Sequence, residues 1–128
     1  MKLLAEISVG ELIDKVTILE IKRDNIRDAS KLANIEREYS ALIDTLDRDI
    51  APSDALDGLR GDLKAVNAEL WRIEDDIRAH ERARTFGAEF VALARSVYQT
   101  NDKRSDIKRR INILTESHLV EEKSYEAY

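Results

Sequence analysis

The sequence predicts an all-α protein, an antiparallel helical bundle or coiled-coil hairpin of three to four long helices. Its 128 residues include only four glycines and one proline, too few for the tight turns of a β-sandwich or barrel. Leucine, isoleucine and valine supply 33 side chains against seven aromatic ones, so the core must be aliphatic. These aliphatic residues recur every three or four positions along most of the chain, which is the spacing of helices with one buried face.

The first helix is predicted to begin at Ser8. The sequence from Ser8 to Glu11 is a capping box, in which the serine oxygen accepts the Glu11 N–H and the Glu11 carboxylate accepts the Ser8 N–H. An apolar stripe follows as far as Ile26 and is interrupted by Arg23, a cation at a core-facing position.

A second apolar stripe begins at Leu32 and is rotated by about 120° relative to the first. The helix either breaks near residues 28–30 or continues and changes its packing face. Because no glycine or proline lies between Glu11 and Ala51, we expect a continuous or merely kinked helix.

Pro52 ends this region, and Ser53 can cap the next helix. Helices are predicted at 54–84 and 88–116, with a turn at 85–87 between them. The first of these two helices carries the most regular apolar stripe in the chain: Leu56, Leu59, Leu63, Val66, Leu70, Ile73 and Ile77.

We expect one helical domain over residues 1–117 and a C-terminal tail over 118–128. The tail has no periodicity, so it is either a docking peptide or a segment that folds back, with Tyr125 covering the end of the bundle. Long antiparallel helices have a narrow core, which favours self-association. We therefore expect a homo-oligomer.

Composition excludes several classes of function. There is no cysteine, no apolar run long enough to span a membrane and no signal peptide, so the expected location is the cytoplasm. The net charge of −5 makes nucleic-acid binding unfavourable, although residues 102–110 carry five cations. The two histidines, His80 and His118, lack metal-ligand spacing, and no cofactor is expected.

Polar residues flank the apolar stripes of the last two helices. If the turn centres near Phe86, Asn67 faces Arg104 and these polar residues form one continuous band, which we call the polar seam. It consists of Asn67, Trp71, Glu74, Arg78 and Glu81 on one helix and Tyr98, Asn101, Ser105, Lys108 and Asn112 on the other. It could bind an anionic small molecule, with Arg104 and Lys108 as charge partners and Trp71 as a wall. The alternative, common in helices of this composition, is a set of interhelical ion pairs, in which the core cations Arg23 and Arg104 contact acids such as Glu74 or Glu20.

Four blocks of sequence, over residues 7–22, 67–78 (NAELWRIEDDIR), 93–112 and 121–125 (EEKSY), resemble a family of small bacterial all-helical proteins. The resemblance implies a bacterial cytoplasmic protein and brings no assigned activity. It covers both halves of the polar seam and adds Asp102. The candidate site residues are then Asn67, Trp71, Glu74, Arg78, Tyr98, Asn101, Asp102, Arg104, Lys108 and Asn112.

We interpret the chain as an interaction or small-ligand-binding module rather than an enzyme. Its partner would be a protein or an anionic small molecule. The alternative is a small helical enzyme that resembles chorismate mutases, whose electrostatic catalysis would need Arg23, Arg104 and Lys108 to converge in a dry pocket.

Overall fold

The computed structural model describes all 128 residues as four α-helices without strands. They are α1 (Val9–Asn25), α2 (Ala29–Asp49), α3 (Asp54–Ala83) and α4 (Ala88–Leu114). Helix α3 packs against α4, and α1 packs against each of the other three. The predicted all-α class and bundle packing are confirmed.

The predicted helix starts are confirmed at two serines. The Ser8 hydroxyl accepts the Glu11 N–H at 3.1 Å, and the Ser53 hydroxyl accepts the Leu56 N–H at 3.1 Å. At the other end of α3, Arg84 adopts left-handed backbone angles (φ 55°), which ends the helix before the predicted turn at 85–87.

The expectation of one continuous or kinked first helix is wrong, because the chain breaks between α1 and α2. Ile26 leaves the helical region with φ −94° and ψ 135°. Asp28 then caps α2, since its carboxylate accepts the Lys31 N–H at 2.9 Å and the Ser30 hydroxyl at 2.7 Å. A capping aspartate thus supplies the break without glycine or proline.

The break reverses the chain, so that α2 runs antiparallel to α1. The Tyr39 hydroxyl donates to Glu20 at 3.4 Å, and Arg23 lies 3.7 Å from Glu36. These pairs fix α2 along one side of α1.

Helix α1 is the central helix of the bundle. Its Leu12 and Ile13 join a buried cluster with residues of all three other helices, namely Leu46, Leu56, Leu63, Ile107 and Ile111. Burying each such side chain stabilises the fold by about 1.5–3 kcal/mol. None of the four helices combines the length and the apolar character needed to cross a membrane.

Residues 118–128, which we call the C-terminal segment, form no helix and lie along α4. Of the two alternatives for this region, the structure has the segment folded back on the bundle. Tyr125 does not cover the bundle end as expected, because it remains 84% exposed.

Candidate functional site

The centre of the molecule contains a buried carboxylate, that of Asp14, whose side chain is only 1% exposed. Arg104 binds both carboxylate oxygens: its Nε donates to Oδ1 at 3.0 Å and its Nη2 donates to Oδ2. Asn67 donates its amide to Asp14 Oδ1 at 2.8 Å and to Thr17 at 3.0 Å. We call Asp14, Asn67 and Arg104 the ionic centre. The hydrogen bonds to Asp14 raise the pKa of the Arg104 guanidinium, which burial alone would lower.

A second cation, Lys108, lies one helical turn further along α4. Its Nζ donates to Glu11 at 2.7 Å and to Glu121 at 3.4 Å, and lies 4.0 Å from Asp14. The Glu11 carboxylate thus contacts Lys108 instead of the Ser8 N–H. Of the two hydrogen bonds predicted for the capping box, the structure has the one from the Glu11 N–H to the Ser8 hydroxyl. Lys108 joins α1, α4 and the C-terminal segment.

Helices α1 and α4 approach most closely at Gly10. Its N–H donates to the buried Asn112 side chain at 2.7 Å. A Cβ atom at this position would lie 2.6 Å from the backbone oxygen of Lys108. Only glycine fits there without a shift of one helix, because real side chains do not approach backbone this closely.

Both core arginines pair with acids, as the ion-pair alternative expects, but not with Glu74 or Glu20, the acids named for it. Arg104 pairs with Asp14, and Arg23 pairs with Glu36 while lying 4.5 Å above the Tyr39 ring. The expected acids have other partners: Glu74 lies 3.4 Å from Arg78, and Glu20 lies 3.5 Å from Arg60. Arg23 therefore faces α2, away from Arg104 and Lys108, so the three cations of the enzyme alternative do not converge.

The candidate site residues lie in two grooves of the structure. The inner groove, of about 490 Å³, lies between α1, α3 and α4 and contains Asn67, Trp71, Glu74, Arg78, Asn101 and Arg104. The outer groove, of about 1050 Å³, lies between α4 and the C-terminal segment and contains Tyr98, Asn101, Asp102, Arg104, Lys108 and Asn112. Asn101 and Arg104 line both grooves.

The inner groove has an apolar wall and three uncommitted hydrogen-bond donors. The wall consists of Ile18, Ile21, Leu70, Trp71 and Val97. The side chains of Lys22, a half-buried residue, and of Asn101 have no partner in the protein. Arg104 keeps its Nη1 free because Nε and Nη2 bind Asp14. The two acids at the groove are both exposed, and one of them, Glu74, is paired with Arg78.

Sequence reasoning missed Asp14 and Lys22. The available signal for Asp14 was Arg104 itself, since an arginine at a core-facing position requires a carboxylate nearby. Lys22 gave no signal, because a lysine beside an apolar stripe is typical of any solvated helix face. No group of three or more His, Asp and Glu side chains lies close enough together to hold a metal ion.

The fold and the site thus define a small all-α protein, with a buried ionic centre and two polar grooves that meet at Arg104. The chain belongs to the family of unknown function DUF6165, whose family model matches residues 1–128. Its resemblance to a family without an assigned activity is thereby confirmed. No curated protein matches the chain, and no solved structure does.

Proposed function

We propose that the protein binds a small anionic molecule with an apolar or aromatic body in the inner groove. The observation that carries this proposal is that Lys22, Asn101 and Arg104, each with a free donor, line one groove together with the apolar wall that contains Trp71. The groove volume of about 490 Å³ lies within the range of small-molecule sites.

The ionic centre prepares one of these donors for binding. Asp14 holds the Arg104 guanidinium through two hydrogen bonds, so Nη1 keeps its direction before any ligand arrives. A donor that is already fixed loses little conformational entropy on binding. Asp14 and Asn67 therefore act as positioning residues, and Arg104 contacts the ligand.

The charges of the groove favour a ligand with a single negative charge. Arg104 is paired with Asp14, and Arg78 is paired with Glu74. Lys22 remains as the one cation of the groove without an ion pair. A carboxylate would accept hydrogen bonds from Lys22 and Asn101, while the body of the ligand packs against Trp71.

Thermal unfolding with indole-3-acetate, and with its neutral amide as a control, tests this proposal. We expect the carboxylate to stabilise the wild-type protein by about 1.4 kcal/mol at ten times its dissociation constant, and the amide to stabilise it much less. Lys22→Gln and Trp71→Ala should each abolish the shift, whereas Lys31→Gln, an exposed lysine on α2, should keep it. The proposal is contradicted if the thermal shift persists in both Lys22→Gln and Trp71→Ala. It is also contradicted if no member of a panel of aromatic and aliphatic carboxylates shifts the unfolding of the wild type.

A protein-interaction role is the second candidate, and exposed aliphatic side chains favour it. Leu3 and Leu4 at the start of the chain are 81% and 89% exposed, and Ile113 at the end of α4 is 63% exposed. The two regions lie at the same end of the bundle, because Val9 N–H donates to Ser117 at 3.1 Å. Self-association through this end would bury apolar surface, and light scattering at micromolar concentration should then give more than the monomer mass of 14.7 kDa.

A further inference from the structure

The C-terminal segment follows the outer face of α4 in the reverse direction. Glu121 lies 3.4 Å from Lys108, and Glu122 lies 2.7 Å from Arg109. Further along, Lys123 contacts Asp102, so two acids of the segment meet two cations of α4 and the lysine of the segment meets an acid of α4.

The end of the segment adds an aromatic contact. The Tyr128 hydroxyl donates to Asp102 at 2.6 Å, and its ring meets the Tyr98 ring edge to face at 5.1 Å between centroids. The hydrogen bond to Asp102 raises the pKa of Tyr128, while Lys123 and Tyr128 together lower the pKa of Asp102.

These contacts are made by side chains, and most of them lie at the surface. Glu121 is the exception, because it also accepts the hydroxyl of the buried Ser8 at 2.9 Å and its partner Lys108 is only 14% exposed. From residue 118 onward the segment makes no backbone hydrogen bond to α4, and the space between the two is an open groove of about 1050 Å³. Surface ion pairs are individually weak. The segment therefore lies on α4 in the manner of a bound extended peptide, and not as part of the core.

We propose that the outer face of α4, from Tyr98 to Arg109, is a docking groove for an acidic, tyrosine-containing peptide of a partner protein. The protein's own C-terminal segment competes for this groove intramolecularly. Two adjacent acids of the peptide would contact Lys108 and Arg109, and its tyrosine would contact Asp102 and Tyr98. The peptide contacts Asp102, Tyr98, Lys108 and Arg109, none of which lines the inner groove, although their neighbours Asn101 and Arg104 line both grooves. Its binding does not depend on the ligand proposed for the inner groove.

The chemistry of the groove favours a peptide over a nucleic acid. Asp102 sits in the middle of the face and accepts from two donors, an ammonium and a phenol hydroxyl. A phosphate at this position would be repelled by the carboxylate, whereas a peptide supplies donors and acids at different positions along one extended chain.

The C-terminal segment should weaken the binding of a free peptide by a factor that can be calculated. A short flexible tether holds a segment at an effective concentration of about 1 mM. If a free peptide of the same sequence binds with a dissociation constant of about 100 µM, the tethered segment weakens its binding about tenfold. Variants whose segment no longer lies on α4 should bind the free peptide about tenfold more tightly than the wild type.

The experiment uses the full chain and a fluorescein-labelled peptide with the sequence of residues 119–128, LVEEKSYEAY, in an anisotropy titration. We compare the wild type with a variant that carries Glu121→Gln, Glu122→Gln and Tyr128→Phe, whose native helicity is checked by circular dichroism. The variant should bind the peptide about tenfold more tightly than the wild type. Adding Arg109→Gln to the variant should weaken binding again, and a peptide with glutamine in place of both adjacent glutamates should not bind.

Three results would overturn the proposal. The first is no peptide binding by the variant while its helicity is native. The second is equal binding by the variant and the wild type, which would exclude competition. The third is displacement of the peptide by an oligothymidylate of equal charge, which would show that the face recognises negative charge alone.

Discussion

Two aspartates of this protein each accept hydrogen bonds from one cationic and one neutral side chain, but one aspartate is buried and the other is exposed to water. Asp14 accepts from a guanidinium and an amide, and Asp102 accepts from an ammonium and a phenol hydroxyl. The Asp14 side chain is 1% exposed, whereas that of Asp102 is 40% exposed. Access of water therefore decides whether such a contact stabilises the fold or only holds a segment in place.

The difference follows from the cost of removing charge from water. A buried carboxylate must keep all its donors, because each lost hydrogen bond leaves a desolvated charge. An exposed carboxylate replaces a lost donor with water at little cost. The Asp14 contacts also join residues 53 and 90 positions apart in the chain, so they tie α1 to both α3 and α4.

The largest expected effect is that of removing the Asp14 carboxylate. Asp14→Ala leaves the Arg104 guanidinium without its carboxylate and Asn67 with only Thr17 as acceptor, and it should lower the free energy of unfolding by about 3 kcal/mol in urea denaturation. Asp102→Ala is the matched control and should leave the unfolding transition unchanged. Equal effects of the two substitutions would refute the distinction between the two aspartates.

A second prediction concerns the close approach of α1 and α4 at Gly10. Gly10→Ala places a Cβ atom 2.6 Å from the Lys108 backbone oxygen and should cost about 1–3 kcal/mol of unfolding free energy. Gly58 and Gly61 have open space around them within α3, so alanine there should stabilise the protein by up to about 1 kcal/mol. The same chemical denaturation series measures all three, and a neutral Gly10→Ala would contradict the close packing seen at this position.

The smallest effect is expected at His118, the exposed first residue of the C-terminal segment. The hydrogen bond and charge of Glu6 raise the pKa of His118 above its ordinary value of 6.5. The contact is therefore complete below pH 6.5 and is lost as the pH rises through the raised pKa of His118. An NMR titration of the imidazole should show this elevated midpoint, and Glu6→Gln should bring it down towards 6.5. A midpoint that Glu6→Gln leaves unchanged would count against the pairing.

Much of the fold could be predicted from local sequence signals. Ser8, Ser53 and the apolar stripe from Leu56 to Ile77 act within one or two helical turns, and the structure follows them. The break at Asp28 was not the favoured alternative because no glycine or proline marks a helix end there. A capping aspartate ends one helix and starts the next as effectively.

The ionic centre could be predicted only in part. Asn67 and Arg104 follow from the antiparallel register of α3 and α4, because that register depends on one short turn. Asp14 comes from a helix whose position relative to α4 depends on packing contacts 90 or more residues apart. No local pattern distinguishes an acid that will be buried by such contacts from one that remains in water.

The central position of α1 also has a consequence during protein synthesis. Helix α1 leaves the ribosome first, but Arg104, Lys108 and Asn112, which satisfy its polar groups, are made about a hundred residues later. The cluster that contains Ile13 also includes Ile107 and Ile111 of α4, so its burial is complete only once α4 has been made. A slow stretch of translation before α4 would therefore lengthen the time that part of this cluster spends in water.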